Sequence, residues 1–200
     1  TKEILIMNKL EASYVKKKHY LVPENRYLFN NNNKNYIRSA VLCLLEHNCV
    51  DGSYNIILTE RSKDLRNHAG QISLPGGKLD AKDLEDYEEC AYREAFEEIG
   101  FNKKSSIYLG KLNKYITGTG YIIQPIVALS TKKQEYKLNK LEVTKILHFP
   151  INYLSLEKNF KKVFLNEDKK KYYYNIYWNK IKIWGATAII LINLIKLLKI

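Results

Sequence analysis

The chain has 200 residues, which bounds it to one domain, or one domain with a short extension. Hydrophobic residues make up 46%, enough for a core, and four prolines with nine glycines argue against a long disordered linker. A net charge of +12 invites a nucleic-acid reading, but the lysines are scattered apart from Lys16-Lys17-Lys18 and Lys169-Lys170-Lys171, and no groove-reading motif is present. We therefore do not expect nucleic acid as a partner and read the charge as steering a small anionic ligand, with background lysine richness as the alternative.

In chain order, residues 3–16 read as an amphipathic helix, with Ile4, Leu5 and Leu10 spaced for one face, and the start carries no apolar run of the signal-peptide kind. Asn30-Asn31-Asn32-Asn33-Lys34-Asn35 reads as a loop, so residues 1–35 are set apart from a domain spanning 36–200. Strands are predicted near 39–46 and 54–60, followed by a loop with a short strand up to 75. A helix over 84–99 follows, then strands near 106–112, 121–129 and 143–149, and a hairpin over 160–183. The final helix, Ala186 to Ile200, is apolar but interrupted by Asn193, Lys196 and Lys199. It is shorter than the about 20 apolar residues a bilayer requires and reads as packed on a sheet. Strands bracketing two helices predict an α/β protein with a mixed β-sheet between helical layers. Cys43, Cys49 and Cys90 show no metal-ligand spacing and are expected to be reduced thiols in an intracellular compartment.

The helix at 84–99 is chemically distinctive. Residues 80–98 hold nine acidic side chains against Lys82 and Arg93, a local charge of −7 in a chain whose remainder is +19. Glu94, Glu97 and Glu98 stand at i, i+3 and i+4 and so share a helical face. Three unneutralised carboxylates on one face repel, and a hard divalent cation removes that cost. Asp83 is placed to cap the helix, Leu84, Ala91, Ala95 and Ile99 to form its apolar stripe, and Gly100 to end it. Pro75-Gly76-Gly77 forms the entering loop, where glycine permits close backbone approach. The bland alternative is a solvated acidic helix, which does not need the Pro-Gly-Gly, the arginine before the first glutamate, or the glycine two residues after the last.

Arg93-Glu94-Ala95-Phe96-Glu97-Glu98-Ile99-Gly100-Phe101, preceded by Glu85 and Leu74-Pro75-Gly76-Gly77, resembles the Nudix box. The glycine usually found six residues before the first glutamate, counted from Glu85, is Leu79 here; if Gly77 takes its role the loop is two residues longer. Upstream, Thr59, Arg61, Ser62, Arg66, Gly70, Pro75, Gly76 and Gly77 match the segment that precedes the box in Nudix coenzyme A diphosphatases, with Leu74 and Ile57 replacing a phenylalanine and a leucine. Downstream, Thr117-Gly118-Thr119-Gly120-Tyr121, Gln124-Pro125-Ile126-Val127, Leu141-Glu142-Val143 and Ile183-Trp184-Gly185-Ala186-Thr187-Ala188 extend the likeness to about residues 36–195.

The resemblance implies a Nudix fold, an α/β/α sandwich, and a Mg²⁺- or Mn²⁺-dependent diphosphatase of coenzyme A or its thioesters. It implies Glu94 and Glu98 as metal ligands, with Glu97 sharing a metal or acting as base, Arg93 orienting a glutamate, and Glu142 as a further carboxylate from a separate segment. Arg61 and Arg66 supply forked donors suited to phosphate, beside Gly76 and Gly77, with an ordinary surface salt bridge as the alternative for either arginine. His68 reads as a hydrogen-bonded loop residue. Two alternatives stay open: a Nudix hydrolase of another nucleoside diphosphate derivative (a dinucleotide, a nucleotide sugar or a nucleoside triphosphate), and a non-catalytic nucleotide- or RNA-binding module. A homodimer is compatible with the chain. Relatives of this kind include peroxisomal ones, but Lys199-Ile200 does not form a Ser-Lys-Leu-type ending, so a cytoplasmic location is expected.

Overall fold

The structure, a computed structural model, describes residues 36–165 and 172–198. The expected helix over 3–16 and the Asn-rich loop lie outside the described residues.

Strand β1 (Ile37–His47) is the central axis. Its apolar run has no alternation because both faces are covered, the usual pattern for a strand inside an α/β sheet. It runs antiparallel to β2 (Tyr54–Arg61), which pairs in turn with β3 (Ile72–Ser73), while β4 (Gly76–Lys78) also lies antiparallel to β1. After helix α1 (Tyr87–Ile99) come β5 (Ser106–Lys111), β6 (Tyr115–Ile116) and β7 (Tyr121–Ser130). Strand β7 returns parallel to β1, from Ile37↔Tyr121 to Leu45↔Leu129, and pairs antiparallel with β5 and β6 on its other edge. Strand β8 (Val143–Pro150) closes the sheet against β2.

The segment expected to be a hairpin over 160–183 is instead a separate three-stranded antiparallel sheet: β9 (Phe160–Phe164), β10 (Tyr172–Trp178) and β11 (Ile181–Trp184). Helix α2 (Gly185–Leu198) follows directly. Side-chain alternation along β1 divides the core. Ala40, Leu42 and Leu44 face α1 and pack with Cys90, Ala91, Ala95 and Ile99. Cys43 and Leu45 face α2 and the small sheet, packing with Leu191, Leu194 and Ile183. The mixed sheet between helical layers is therefore as expected. Among the described residues no helix is long and apolar enough to cross a membrane, and all three cysteines are free thiols.

The helix predicted over 84–99 begins later, at Tyr87. Two caps compete upstream. Asp80 closes a capping box on a short 3-10 turn, Ala81–Asp83, and Asp86 caps α1 by accepting from the Glu88 amide at 2.7 Å. Leu84 and Glu85 bridge the two in the left-handed region, at φ 47° and 67°. Leu84 is consequently 87% exposed and does not belong to the apolar stripe. Gly100 ends the helix as expected, left-handed at φ 70°, its amide donating to Phe96.

Candidate active site

Strand β4 is wedged between β1 and α1 so tightly that a side chain at either glycine would collide with one of them. A Cβ at Gly77 would sit 2.4 Å from the Glu94 carboxyl carbon. A Cβ at Gly76, whose φ is 155°, would meet the Ala40 carbonyl oxygen at 2.3 Å. The bare backbone leaves the Gly76 amide pointing at the helix, and it donates to Glu98 Oε2 at 3.3 Å.

Glu98 is 2% exposed. Its other oxygen lies 3.7 Å from Arg61 Nη1, an ion pair rather than a hydrogen bond. Burial pushes the Glu98 carboxyl up to about 8, against the pull of Arg61, and the neighbouring charges of Glu94 and Glu142 push the same way. Glu94 is raised too, again chiefly by burial, although the Arg93 guanidinium opposes it. Arg61 Nε is buried and has no hydrogen-bond partner among the described residues.

Arg93 is the hub of the cluster. Its Nη1 donates to Glu94 at 2.9 Å and to Glu97 at 3.1 Å, and its Nη2 donates to the Lys78 carbonyl at 3.1 Å. The other edge of the guanidinium grips Asp83 with two parallel bonds, at 2.7 and 3.0 Å. Those bonds hold the buried Asp83 carboxyl below the usual carboxylate range. Asp83 was expected only as a helix cap, and its place in the cluster is a correction. The signal was present: counted from Gly77, the sixth residue is Asp83, so the two extra residues fall after the first acidic position. Glu85 stands apart from the cluster, exposed and paired with Arg38 at 2.9 Å.

Glu142 lies just before β8, and its charge contributes to the raised affinity of both Glu94 and Glu98 for protons. Asn139 fixes its orientation. The Asn139 side chain donates to Glu142 Oε1 at 3.0 Å, and the Asn139 amide donates to the Glu98 carbonyl at 2.9 Å, which ties the segment to α1. The matched segment upstream is largely scaffold for Arg61. Thr59 Oγ1 and Ser73 Oγ are 3.1 Å apart, the Ser62 amide donates to the Glu142 carbonyl at 2.7 Å, and the Gly70 amide donates to the Arg61 carbonyl at 3.1 Å.

Arg66 is not brought to the glutamates by any contact. It is exposed in the 62–70 loop and makes no side-chain hydrogen bond or ion pair with the described residues. His68 bonds the Gln71 side chain at 3.0 Å.

Among the described residues, no three His, Cys, Asp or Glu side chains already stand as a ready metal cage. The donor chemistry nevertheless fits a hard cation. Glu94 and Glu98 are carboxylates held in poor solvation, and one guanidinium nitrogen is divided between Glu94 and Glu97. An ion of charge +2 would supply the neutralisation that burial denies them.

The chain is similar to one group of known proteins. Residues 37–165 match the model of the NUDIX domain. An uncharacterized Nudix hydrolase NudL from Photorhabdus laumondii is 33% identical over 137 residues, 68% of this chain and 73% of that one. The peroxisomal coenzyme A diphosphatase ndx-8 of Caenorhabditis elegans is 31% identical over 132 residues, 66% of this chain and 56% of that one, so the likeness spans little more than half of the nematode protein. A crystal structure of a Nudix hydrolase from M. smegmatis, RenU, overlays with a TM-score of 0.50 and 18% identity, covering 60% of this chain and 74% of that one, a likeness of fold.

Proposed function

The chain belongs to the Nudix family and is a hydrolase of that family, and from this premise we propose that it cleaves the diphosphate of coenzyme A or an acyl-coenzyme A. The products are phosphopantetheine, or its acylated form, and adenosine 3′,5′-bisphosphate. One observation carries the reading. The segment from Thr59 to Gly77, whose pattern resembles that of coenzyme A diphosphatases, folds directly onto the acidic helix, with Arg61 and Gly76 both reaching Glu98.

Glu94, Glu97 and Glu98 would hold a divalent cation, Mg²⁺ or Mn²⁺, which when bound neutralises charge on the diphosphate oxygens and acidifies water. Arg93 orients Glu94 and Glu97 through one nitrogen while Asp83 anchors its other edge. Arg61, whose guanidinium lies beside Glu98 with its side chain partly exposed, binds a phosphate oxygen. Glu142, oriented by Asn139, accepts the proton of the attacking water as its oxygen joins phosphorus and the P–O–P bond breaks. Glu97 is the competing base, since it lies on the same face and is the most exposed of the three helix glutamates.

The test is a panel of coenzyme A, acyl-coenzyme A, NADH and diadenosine polyphosphates, each with Mg²⁺ or Mn²⁺. The reading expects coenzyme A or a thioester to give the highest kcat/KM. Preference for a dinucleotide would replace the substrate and keep the reaction. No metal-dependent hydrolysis of any diphosphate would overturn the catalytic assignment.

A further inference from the structure

An open cavity of about 500 Å³ lies where the chain leaves β4, lined by Arg38, Leu79, Asp80, Ala81, Leu84 and Glu85. The backbone places it in line with the reacting groups. Gly76 contacts Glu98, Gly77 abuts Glu94, the Lys78 carbonyl meets Arg93, and the Leu79 amide bonds the Arg38 carbonyl at 3.0 Å. Successive residues of an extended strand alternate faces, so Leu79 shares the face of Gly77, about 7 Å further along. Leu79 indeed packs against the same core as α1.

Three apolar side chains, Leu79, Ala81 and Leu84, line this cavity. Leu84 is the telling one. A bulky residue rarely adopts the left-handed region, yet Leu84 is held there at φ 47° with 87% of its surface exposed. The charged wall is acidic on balance: Arg38 is matched by Glu85 at 2.9 Å, and Asp80 remains. At the other end of the line stands Arg61, followed in the chain by the exposed Lys63, Asp64 and Arg66, which together with Arg61 carry a net positive charge.

The proposed substrate has the same polarity. Its nucleotide half carries the additional phosphate, and its pantetheine half is uncharged, with a gem-dimethyl group beside its hydroxyl and two amides. The geometry points to one orientation: the uncharged pantetheine arm, with any acyl group, seats in the Arg38–Leu84 cavity, and the phosphorylated nucleotide extends past Arg61. This rests on the coenzyme A reading above and adds the direction of binding. An acidic, apolar cavity disfavours phosphate and accepts a neutral arm, whereas a basic flank does the reverse.

The test uses the full chain in Mg²⁺ buffer and measures binding of the two product halves separately by calorimetry, 4′-phosphopantetheine and adenosine 3′,5′-bisphosphate. Leu84→Asp should weaken phosphopantetheine by about tenfold, the scale of losing an apolar contact in a pocket, and leave the bisphosphate unchanged. Leu84→Asn, which tolerates the left-handed backbone, should show the same pattern more weakly. Arg61→Ala should weaken the bisphosphate preferentially. Equal effects on both halves, no effect of either Leu84 variant, or the exchanged pattern would overturn the orientation. If wild-type protein cleaves coenzyme A while these patterns fail, only the orientation falls. If it neither cleaves coenzyme A nor binds phosphopantetheine, the substrate reading falls with it.

Discussion

Asp83 and Arg93 lock together side by side, Nε to Oδ1 at 2.7 Å and Nη2 to Oδ2 at 3.0 Å, and the opposite corner of the same guanidinium holds Glu94 and Glu97. A carboxylate outside the helix thereby sets the position of carboxylates on it.

Asp83→Asn keeps the shape and removes the charge. It should cost about 1–3 kcal/mol of stability, the scale for leaving a buried hydrogen-bonding group poorly matched, and should lower kcat by loosening Glu94 and Glu97. Its pH dependence has a definite sign. The folded carboxyl is held below its ordinary value, so the advantage of wild type over Asp83→Asn is complete above the unfolded pKa and is lost as pH falls through the folded one. Thermal melts of both proteins from neutral to acid pH measure it; parallel curves would remove the pair from the stability account.

Gly76→Ala and Gly77→Ala should fail differently. The first drives a methyl into the Ala40 carbonyl and Val41 Cα, both backbone atoms, so the sheet itself must move and the melting temperature should drop. The second meets the Glu94 carboxylate first, the far end of a flexible side chain that can swing away. That protein should fold but lose most of its turnover. A Gly77→Ala enzyme with normal kcat would show that the Glu94 position is not critical.

Glu98→Gln should lower metal-dependent turnover by at least about two orders of magnitude, the effect of removing one preorganised charge partner. The metal-free proteins offer an independent readout. Because the folded carboxyl of Glu98 keeps its proton up to about 8, above the ordinary 4.5, wild-type stability should decline as pH rises between those values. Glu98→Gln should flatten that decline. Denaturant titrations at pH 5 and pH 8, values chosen to fall within that window, separate the two.

Glu142→Gln should slow single-turnover cleavage and leave metal affinity nearly unchanged. Asn139→Ala should reproduce part of the loss, since it frees the same carboxylate without removing it. Weakened metal binding by Glu142→Gln would make Glu142 a ligand instead, and a normal rate for both variants would return the role of base to Glu97.

What the sequence made legible was local. Glu94, Glu97 and Glu98 share a face by helical spacing alone, and β1 declares itself by an unbroken apolar run. The start of α1 was not legible because Asp80, Asp83 and Asp86 are all competent caps, and local propensity cannot choose among them. The choice depends on Arg93, ten residues after Asp83, which needs a carboxylate at its side. The nearness of Glu142 to the glutamates and the hydrogen bond from Tyr136 to Glu46 join segments that lie far apart in the chain, and no local pattern encodes them. Arg66 shows the opposite failure: a suitable side chain in a matching pattern, left by the backbone on an exposed loop.

The parallel pairing of β1 with β7 has a kinetic consequence. Parallel neighbours cannot be joined by a tight turn, and everything from Asn48 to Gly120, the whole acidic helix included, lies within the connection. Gly76 and Gly77 hang on β1 by antiparallel bonds, and β7 covers its other edge. Strand β1 can be covered on both edges only after a long loop has closed, a step whose entropy loss precedes its contacts. Pulse-labelled hydrogen exchange during refolding should find the Gly76 amide protected late, together with those of β7, and after the local turns of α1 have formed.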